Sequence, residues 1–463
     1  MTSLVRRIDD AARRNPWAVW LAGCSVYFLA LLHRSSLGVA GPAAVERLDI
    51  SAAQLGTFVT VQLGIYAAMQ VPAGLLIDRL GPRRVLLVAA LVMASGQVAF
   101  AFADSYGLAL GARALLGLGD SAVYLSCLRL VAEWFPQRRY AVLTMWTGLF
   151  GMAGNLVATV PLTWALGELG WVRTFLLTGL TSLAATVLLL RPAVTAPFRS
   201  AEAHRAEVAD DVAHHRPRRF AGVVDDVRSA WRGTELGRGT QVGFWTHQAT
   251  MAGGTVLAMV WGFPYLTDAL GYTPDAAAGT LSLFIVATLA FSFLIGPLAG
   301  RRRGWRMPIA IVTSSAGIAA LLTLVAWPGG PPRWAVTLAF LVLAAGGPAS
   351  QVGFHLARDY NPRRRISTAT GLVNIGGFSA AMVGAVVVGL ILDVLAPDGS
   401  PSPTDYRWAL SAIVVISTFS TCAMVLSLLR LRRLALGRIA AGEEVALPVV
   451  AHWWDVRERR SRG

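Results

Sequence analysis

Residues 55–77 of this chain carry no charged side chain, and residues 85–102 carry none either. Each run is long enough to cross the hydrocarbon core of a bilayer, which takes roughly 20 apolar residues as a helix. In hydrocarbon a spanning backbone must pair its own N–H and C=O groups, so runs like these have essentially one fold open to them. What joins them is the charged turn Gly74-Leu75-Leu76-Ile77-Asp78-Arg79-Leu80-Gly81-Pro82-Arg83-Arg84. Gly81 tolerates positive φ and Pro82 cannot continue an incoming helix, so the chain reverses there. Asp78 is left at the mouth of a membrane helix among Arg79, Arg83 and Arg84. A short arginine-rich loop stays on the cytoplasmic side.

The same pattern recurs along all 463 residues, of which 55% are hydrophobic and 14% charged. A soluble domain carries about a quarter charged residues, so the chain is expected to be a polytopic, all-α membrane protein. Apolar runs fall at roughly 17–40, 52–77, 84–104, 107–131, 141–163, 172–191, 241–266, 276–299, 307–327, 334–356, 367–392 and 408–429. That predicts twelve transmembrane helices with both termini in the cytoplasm. All 41 basic residues are arginine, and the net charge is +15. The arginines gather on alternate loops (Arg138 and Arg139; Arg301, Arg302, Arg303 and Arg306; Arg363, Arg364 and Arg365), while acids dominate the others, with Arg47, Arg173, Arg333 and Arg407 as exceptions. This distribution reads as membrane topology rather than nucleic-acid binding. Cys24, Cys127 and Cys422 lie far apart in apolar runs, so neither a disulfide framework nor a metal site is expected. No Gly-x-x-x-x-Gly-Lys loop exists to bind ATP.

Two halves repeat each other. Pro42 and Pro264, expected to end the first helix of each half, are 264 − 42 = 222 apart. Ser51 and Thr273, which open the second helices, and Gly74 and Gly296, which begin the turns, keep the same offset. Further on, the segment from Glu133 to Arg139 matches that from Asp359 to Arg365 at 359 − 133 = 226. The organisation predicted is a six-helix bundle over 1–192, a polar linker over 193–238, a second six-helix bundle over 239–433 and a tail over 434–463. Within the linker, Phe220, Val223, Val224, Val227 and Trp231 recur at helical spacing, which suggests a short helix on the inner membrane surface.

The pattern Gly74-x-x-x-Asp78-Arg79-x-Gly81-x-Arg83-Arg84, closing a second helix, closely resembles the signature loop of the major facilitator superfamily of secondary transporters. Its second copy, Gly300-Arg301-Arg302-Arg303, lacks the aspartate. Arg34, followed eight residues later by Pro42, is similar to the first helix of organophosphate and organic-anion transporters in that superfamily. The resemblance implies that Arg34 faces the central cavity and binds an anionic group; His33 beside it, about 100° round the helix, is expected either to join the substrate site or to serve as a helix-packing contact. The organophosphate exchangers carry a second arginine where this chain has Val256, so the resemblance points to a broader anion class. In the fourth helix, Arg113-Ala114-Leu115-Leu116-Gly117-Leu118-Gly119-Asp120 looks like the superfamily pattern Arg-x-x-x-Gly-x-Gly, with an acid next as in anion:cation symporters.

A charge inside the membrane costs about 2.5–3.5 kcal/mol on insertion scales, so each needs a partner or a purpose. Arg113 and Asp120 lie seven residues apart on one helix face, about 10 Å along the axis. They are candidates for proton coupling or for a static ion pair to a neighbouring helix. Arg129 and His355 are repeat equivalents near the arginine-rich end, expected to reach lipid headgroups or to line the cavity. His247 reads as an interhelical partner or as a proton carrier lining the cavity, and Asn155 and Asn374 as polar links between helices.

The function expected is proton-coupled secondary transport of a small organic anion, without enzymatic activity, cofactor or metal. Arg34 would anchor substrate, Asp120 would couple the proton, and the turn from Gly74 to Arg84 would latch the cytoplasmic side, with Asp78 held by the turn arginines and by the amino end of a helix of the other half. The alternatives are drug or metabolite efflux by proton antiport, and a transporter fold used as a sensor. The chain is expected to be a monomer in a bacterial-type inner membrane, with the lipid bilayer and a small molecule as its partners.

Overall fold

The computed structural model describes residues 15–50, 52–158, 160–190, 223–232, 238–362, 365–397 and 401–442. The ordered elements are helices: α1 (Pro16–Leu48), α2 (Ala52–Ala68), α3 (Gln70–Leu80), α4 (Pro82–Phe102), α5 (Tyr106–Trp134), α6 (Gln137–Val157), α7 (Val160–Leu190) and α8 (Val223–Arg232). They continue as α9 (Gly239–Val256), α10 (Pro274–Arg301), α11 (Arg306–Ala326), α12 (Arg333–Ala344), α13 (Gly346–Asp359), α14 (Ile366–Leu395) and α15 (Pro403–Ala440). Among the described residues eleven stretches are long and apolar enough to span a membrane, and the bent pair of α2 and α3 makes a twelfth. The protein is thus an all-α membrane protein of twelve spans. The 48° bend between α2 and α3 sits just before Pro72, whose ring denies the helix an N–H and crowds the carbonyl one turn back.

Two compact units emerge. The first comprises Met1–Arg228 together with a short stretch ending at Gly371, and the second holds the remainder. The opening turns of α14, Ile366 to Gly371, thus belong with the first bundle, against the expected division at 239. Most of the expected linker, the amino-terminal residues before 15 and the tail after 442 lie outside the described residues. Helix α8 is present, with the Trp231 ring edge-on to Phe244 at 5.2 Å.

The first helix of each half differs from expectation. Pro42 does not end α1, which runs on to Leu48, where Ala44 and Leu48 pack with Phe58 and Phe100. The stop is Asp49, in the left-handed conformation (φ 48°), with its N–H donating to the Val45 carbonyl. Pro264 likewise lies within a span that reaches Ala269. There two π-helical turns, Leu257–Trp261 and Tyr265–Ala269, flank the proline, and the chain turns at Gly271 (φ 66°). Since 271 − 49 = 222, the true stops keep the repeat offset. In the second of these spans the two π-helical turns re-register the carbonyls that the proline releases. The fifth span also ends early, at Val157 rather than 163, and α7 crosses a break at Gly170 (φ 73°) before forming the sixth.

Three of the four arginines that break the charge rule have local partners. Arg407 donates to the Trp327 carbonyl at the end of α11, Arg333 stacks over Tyr272 at 5.3 Å, and Arg47 lies 5.9 Å from Trp171.

Candidate functional site

The centre of the first bundle is an ion pair between α1 and α5. Arg34 donates Nε–H to Asp120 Oδ2 at 2.7 Å and Nη2–H to Oδ1 at 2.9 Å. This fork-to-carboxylate geometry is the strongest arrangement two such side chains adopt. The Tyr66 ring of α2 lies 4.5 Å from the guanidinium carbon, a favourable position for a cation over an aromatic face. Two turns back along α1, Tyr27 packs against Tyr124 of α5 at 5.1 Å. Ser35 donates to Asn155 of α6 at 2.8 Å. The pair is asymmetric in access: the Arg34 side chain is 16% exposed and that of Asp120 only 3%. The arginine can therefore be reached while the carboxylate lies behind it.

Two glycines bring the helices together here. A Cβ on Gly117 would collide with the Gln62 carbonyl of α2, and one on Gly119 would stand 2.7 Å from the Ala89 carbonyl of α4. The spaced glycines ahead of Asp120 thus let α5 touch two neighbours at backbone distance, which carries Asp120 inward.

Arg113 does not pair with Asp120. It is fully buried beneath α1, donating to the His33 carbonyl at 3.2 Å and to Ser36 Oγ at 3.4 Å, with its guanidinium 4.0 Å from the Phe100 ring centre. Helical spacing put Arg113 and Asp120 on one face of α5; α1 then divides them, because Arg34 is the nearer partner for the acid. His33 turns away from Arg34 as well. Its Nε2 and Ser182 Oγ of α7 lie 2.6 Å apart, in full burial. It joins helices rather than standing beside the Arg34 guanidinium.

At the arginine-rich end, Asp78 caps the first turn of α14. The backbone N–H groups of Ser367 and Thr368 donate to it at 3.0 and 2.8 Å, and the Thr368 hydroxyl at 2.7 Å. A helix start has free N–H donors and positive dipole, so a carboxylate belongs there. Gly74, one turn earlier on the same face of α3, makes room: a Cβ would stand 2.6 Å from the Ser367 carbonyl. Around the turn, Arg83 donates to the Leu189 carbonyl at the end of α7 (2.8 Å), Gly81 has φ 84°, and Arg79 and Arg84 are exposed.

Arg129 does not extend to headgroups. It is buried, pairing with the half-buried Glu133 at 2.7 Å and reaching the buried Asp78 at 3.4 Å, so that two carboxylates offset the cost of burying the guanidinium. In the second bundle His355 is also buried, among the apolar residues of α13 rather than at the membrane surface. His247 contacts the Ser350 carbonyl through Nδ1 at 3.1 Å and packs against Phe354.

Two features went unread in the sequence. The tyrosines around Arg34 and Asp120 carry no motif of their own. The buried pair of Arg306 and Asp359 in the second bundle has no copy to point to it, since at the repeat positions Arg84 is exposed and Glu133 pairs with Arg129. The helix amino end expected to hold Asp78 belongs to α14, whose Ser367 lies 289 residues away.

The chain is similar to known membrane transporters. The family model described as Major Facilitator Superfamily matches residues 23–262 and 243–461. The protein of Pseudomonas aeruginosa named 4-hydroxybenzoate transporter PcaK is 27% identical over 466 residues, covering 91% of this chain and 96% of that one. The Cupriavidus necator protein named Probable sulfoacetate transporter SauU is 28% identical over 165 residues. That match covers 36% of this chain, and the chain spans only 38% of that relative. Among solved structures, the proton:xylose symporter XylE bound to 6-bromo-6-deoxy-D-glucose has a TM-score of 0.64 at 14% identity, covering 87% of this chain and 94% of its own. At that identity the likeness is one of fold.

Proposed function

Because the chain belongs to the Major Facilitator Superfamily, whose members matched here are transporters and not enzymes, we propose that it is a proton-coupled symporter of a small organic anion. The observation that carries this is the bidentate pair of Arg34 and Asp120. A guanidinium satisfied on one edge by a carboxylate has that edge closed to any other anion. When Asp120 takes up a proton, it loses its charge and most of its hold, and a carboxylate or sulfonate from the substrate can take its place on the fork. Anion and proton then load together. When the proton leaves, Asp120 reclaims Arg34 and the anion is displaced. Tyr66 keeps the guanidinium in place through the exchange.

Several features support this reading beyond the pair. Relatives are named for a sulfoacetate and a 4-hydroxybenzoate, both organic acids. With Val256 at the repeat position of Arg34, the substrate meets one fixed cation, which fits a single anionic group. The Asp78 cap on α14 is the latch: it holds the start of that helix on the first bundle while the transporter is closed at its arginine-rich side, and releases it for opening there. The arginine distribution supports a cytoplasmic location for that side.

The test is uptake into proteoliposomes across a panel of carboxylates, sulfonates and cationic drugs, with internal pH followed by a dye. Symport predicts anion uptake that moves protons in the same direction and rises as the outside is acidified. Arg34→Lys should keep part of the activity and Arg34→Ala none, since lysine supplies charge without the planar fork. Cationic or neutral substrates driving protons the other way would replace this reading with efflux.

A further inference from the structure

Helix α15 is longer than a span requires. Its 38 residues extend about 57 Å, against about 40–45 Å for a bilayer with its headgroups. One face stays on the second bundle, where Leu428, Leu431 and Ala435 are buried with Val242, Leu356 and Tyr360. The opposite face is exposed. Val415, Phe419, Leu426 and Leu429, with Cys422 between them, follow one another in steps of three and four, which is a single stripe along a helix. The stripe ends on Arg430 and Arg433, exposed and one turn apart. Arg430 lies about 40 Å along the axis from Pro403, the depth of the far headgroups. Among the described residues neither arginine has an ion-pair partner, and no acid occurs between 415 and 440.

We propose that this stripe holds one anionic phospholipid, with an acyl chain along Val415, Phe419, Leu426 and Leu429 and the phosphate between Arg430 and Arg433. Arginine offers phosphate a forked, charge-assisted contact, and basic residues at the cytoplasmic end of a span attract anionic lipid. A second copy of the chain is the poorer occupant. Around a two-fold axis normal to the membrane the stripe would face itself and set the arginines of one copy against those of the other.

Cys422 makes the site readable, because it is exposed on the stripe while Cys24 and Cys127 are buried. The full-length protein, labelled at Cys422 with a small fluorophore, is placed in vesicles containing brominated phosphatidylglycerol or brominated phosphatidylcholine. Quenching should favour the anionic lipid by about fivefold for each arginine engaged. Arg430→Gln with Arg433→Gln should bring the ratio to about one, and Arg430→Lys with Arg433→Lys should keep most of it. Millimolar inorganic phosphate should leave the wild-type ratio unchanged. Equal quenching by both lipids, loss of the preference on adding phosphate, or self-quenching that grows with protein density, as a dimer would give, overturns the proposal. Should the glutamine variant fail to fold, the wild-type ratio and its response to phosphate decide the matter.

Discussion

The two bundles share a helix plan and the offset of their stops, yet their interiors differ in kind. In the first, Arg34 and Asp120 form an ion pair and Arg113 is buried against α1. At the repeat positions of the second bundle stand Val256, Gly346 (346 − 120 = 226) and Ala339 (339 − 113 = 226). Val256 and Ala339 are core, and a Cβ on Gly346 would collide with the Thr250 carbonyl. Where one bundle lodges charge, the other packs helices closer. At the arginine-rich end the contrast turns around. Asp78 has no counterpart, since position 300 is Gly, and the second bundle is tied instead by Arg306, bonded to Asp359 and to the Ala299 carbonyl. A duplicated fold thus needs its helices twice and its chemistry once.

That contrast can be broken most severely at the ion pair. Removing one member leaves a buried charge, worth about 3–5 kcal/mol. Arg34→Ala and Asp120→Ala should each abolish uptake and lower the melting temperature of the purified protein. The double change to Leu and Met should recover the melting temperature without recovering uptake, and recovery of both would remove the pair from the mechanism. In the second bundle, Arg306→Ala or Asp359→Ala should cost a similar amount, about 3–5 kcal/mol, in melting experiments. Substrate affinity measured on the surviving protein should hold, because this pair is expected to bind helices and not ligand.

A smaller effect is expected at the cap. Asp78→Asn should cost about 0.5–2 kcal/mol, the range for losing a helix cap, while slowing uptake at equal expression; unchanged rates would take the latch away from Asp78. Gly74→Ala should act in the same direction, because its Cβ has no room beside Ser367. The mildest test is Ser182→Ala. It removes one neutral partner of His33 at about 0.5–1.5 kcal/mol, with the pH dependence of uptake unmoved. A shifted pH profile would instead bring His33 into proton movement.

Legibility followed the range of the interaction. Spans, arginine-rich loops and the repeat offset were all readable, because hydrocarbon imposes its demand on every run of about twenty residues independently. The stop of α1 was misjudged at Pro42, since proline's local penalty is overridden when neighbours cover the helix beyond it. Arg113 and Asp120 were rightly placed on one face, but a face does not choose a partner. Arg129 and His355 looked like surface residues from their depth alone, and packing buried them.

What the sequence determined by itself was the medium: a chain whose long stretches lack charge, punctuated by arginine on alternate loops, can only be threaded through a bilayer as helices. It also determined which few polar side chains had to be reconciled with that medium. Which of them met was decided by tertiary structure alone. Arg34 found Asp120 across 86 residues and Asp78 found Ser367 across 289. In a low-dielectric interior the nearest opposite charge or open helix end dominates, and nearness there is set by glycine-mediated helix contacts that no local pattern encodes.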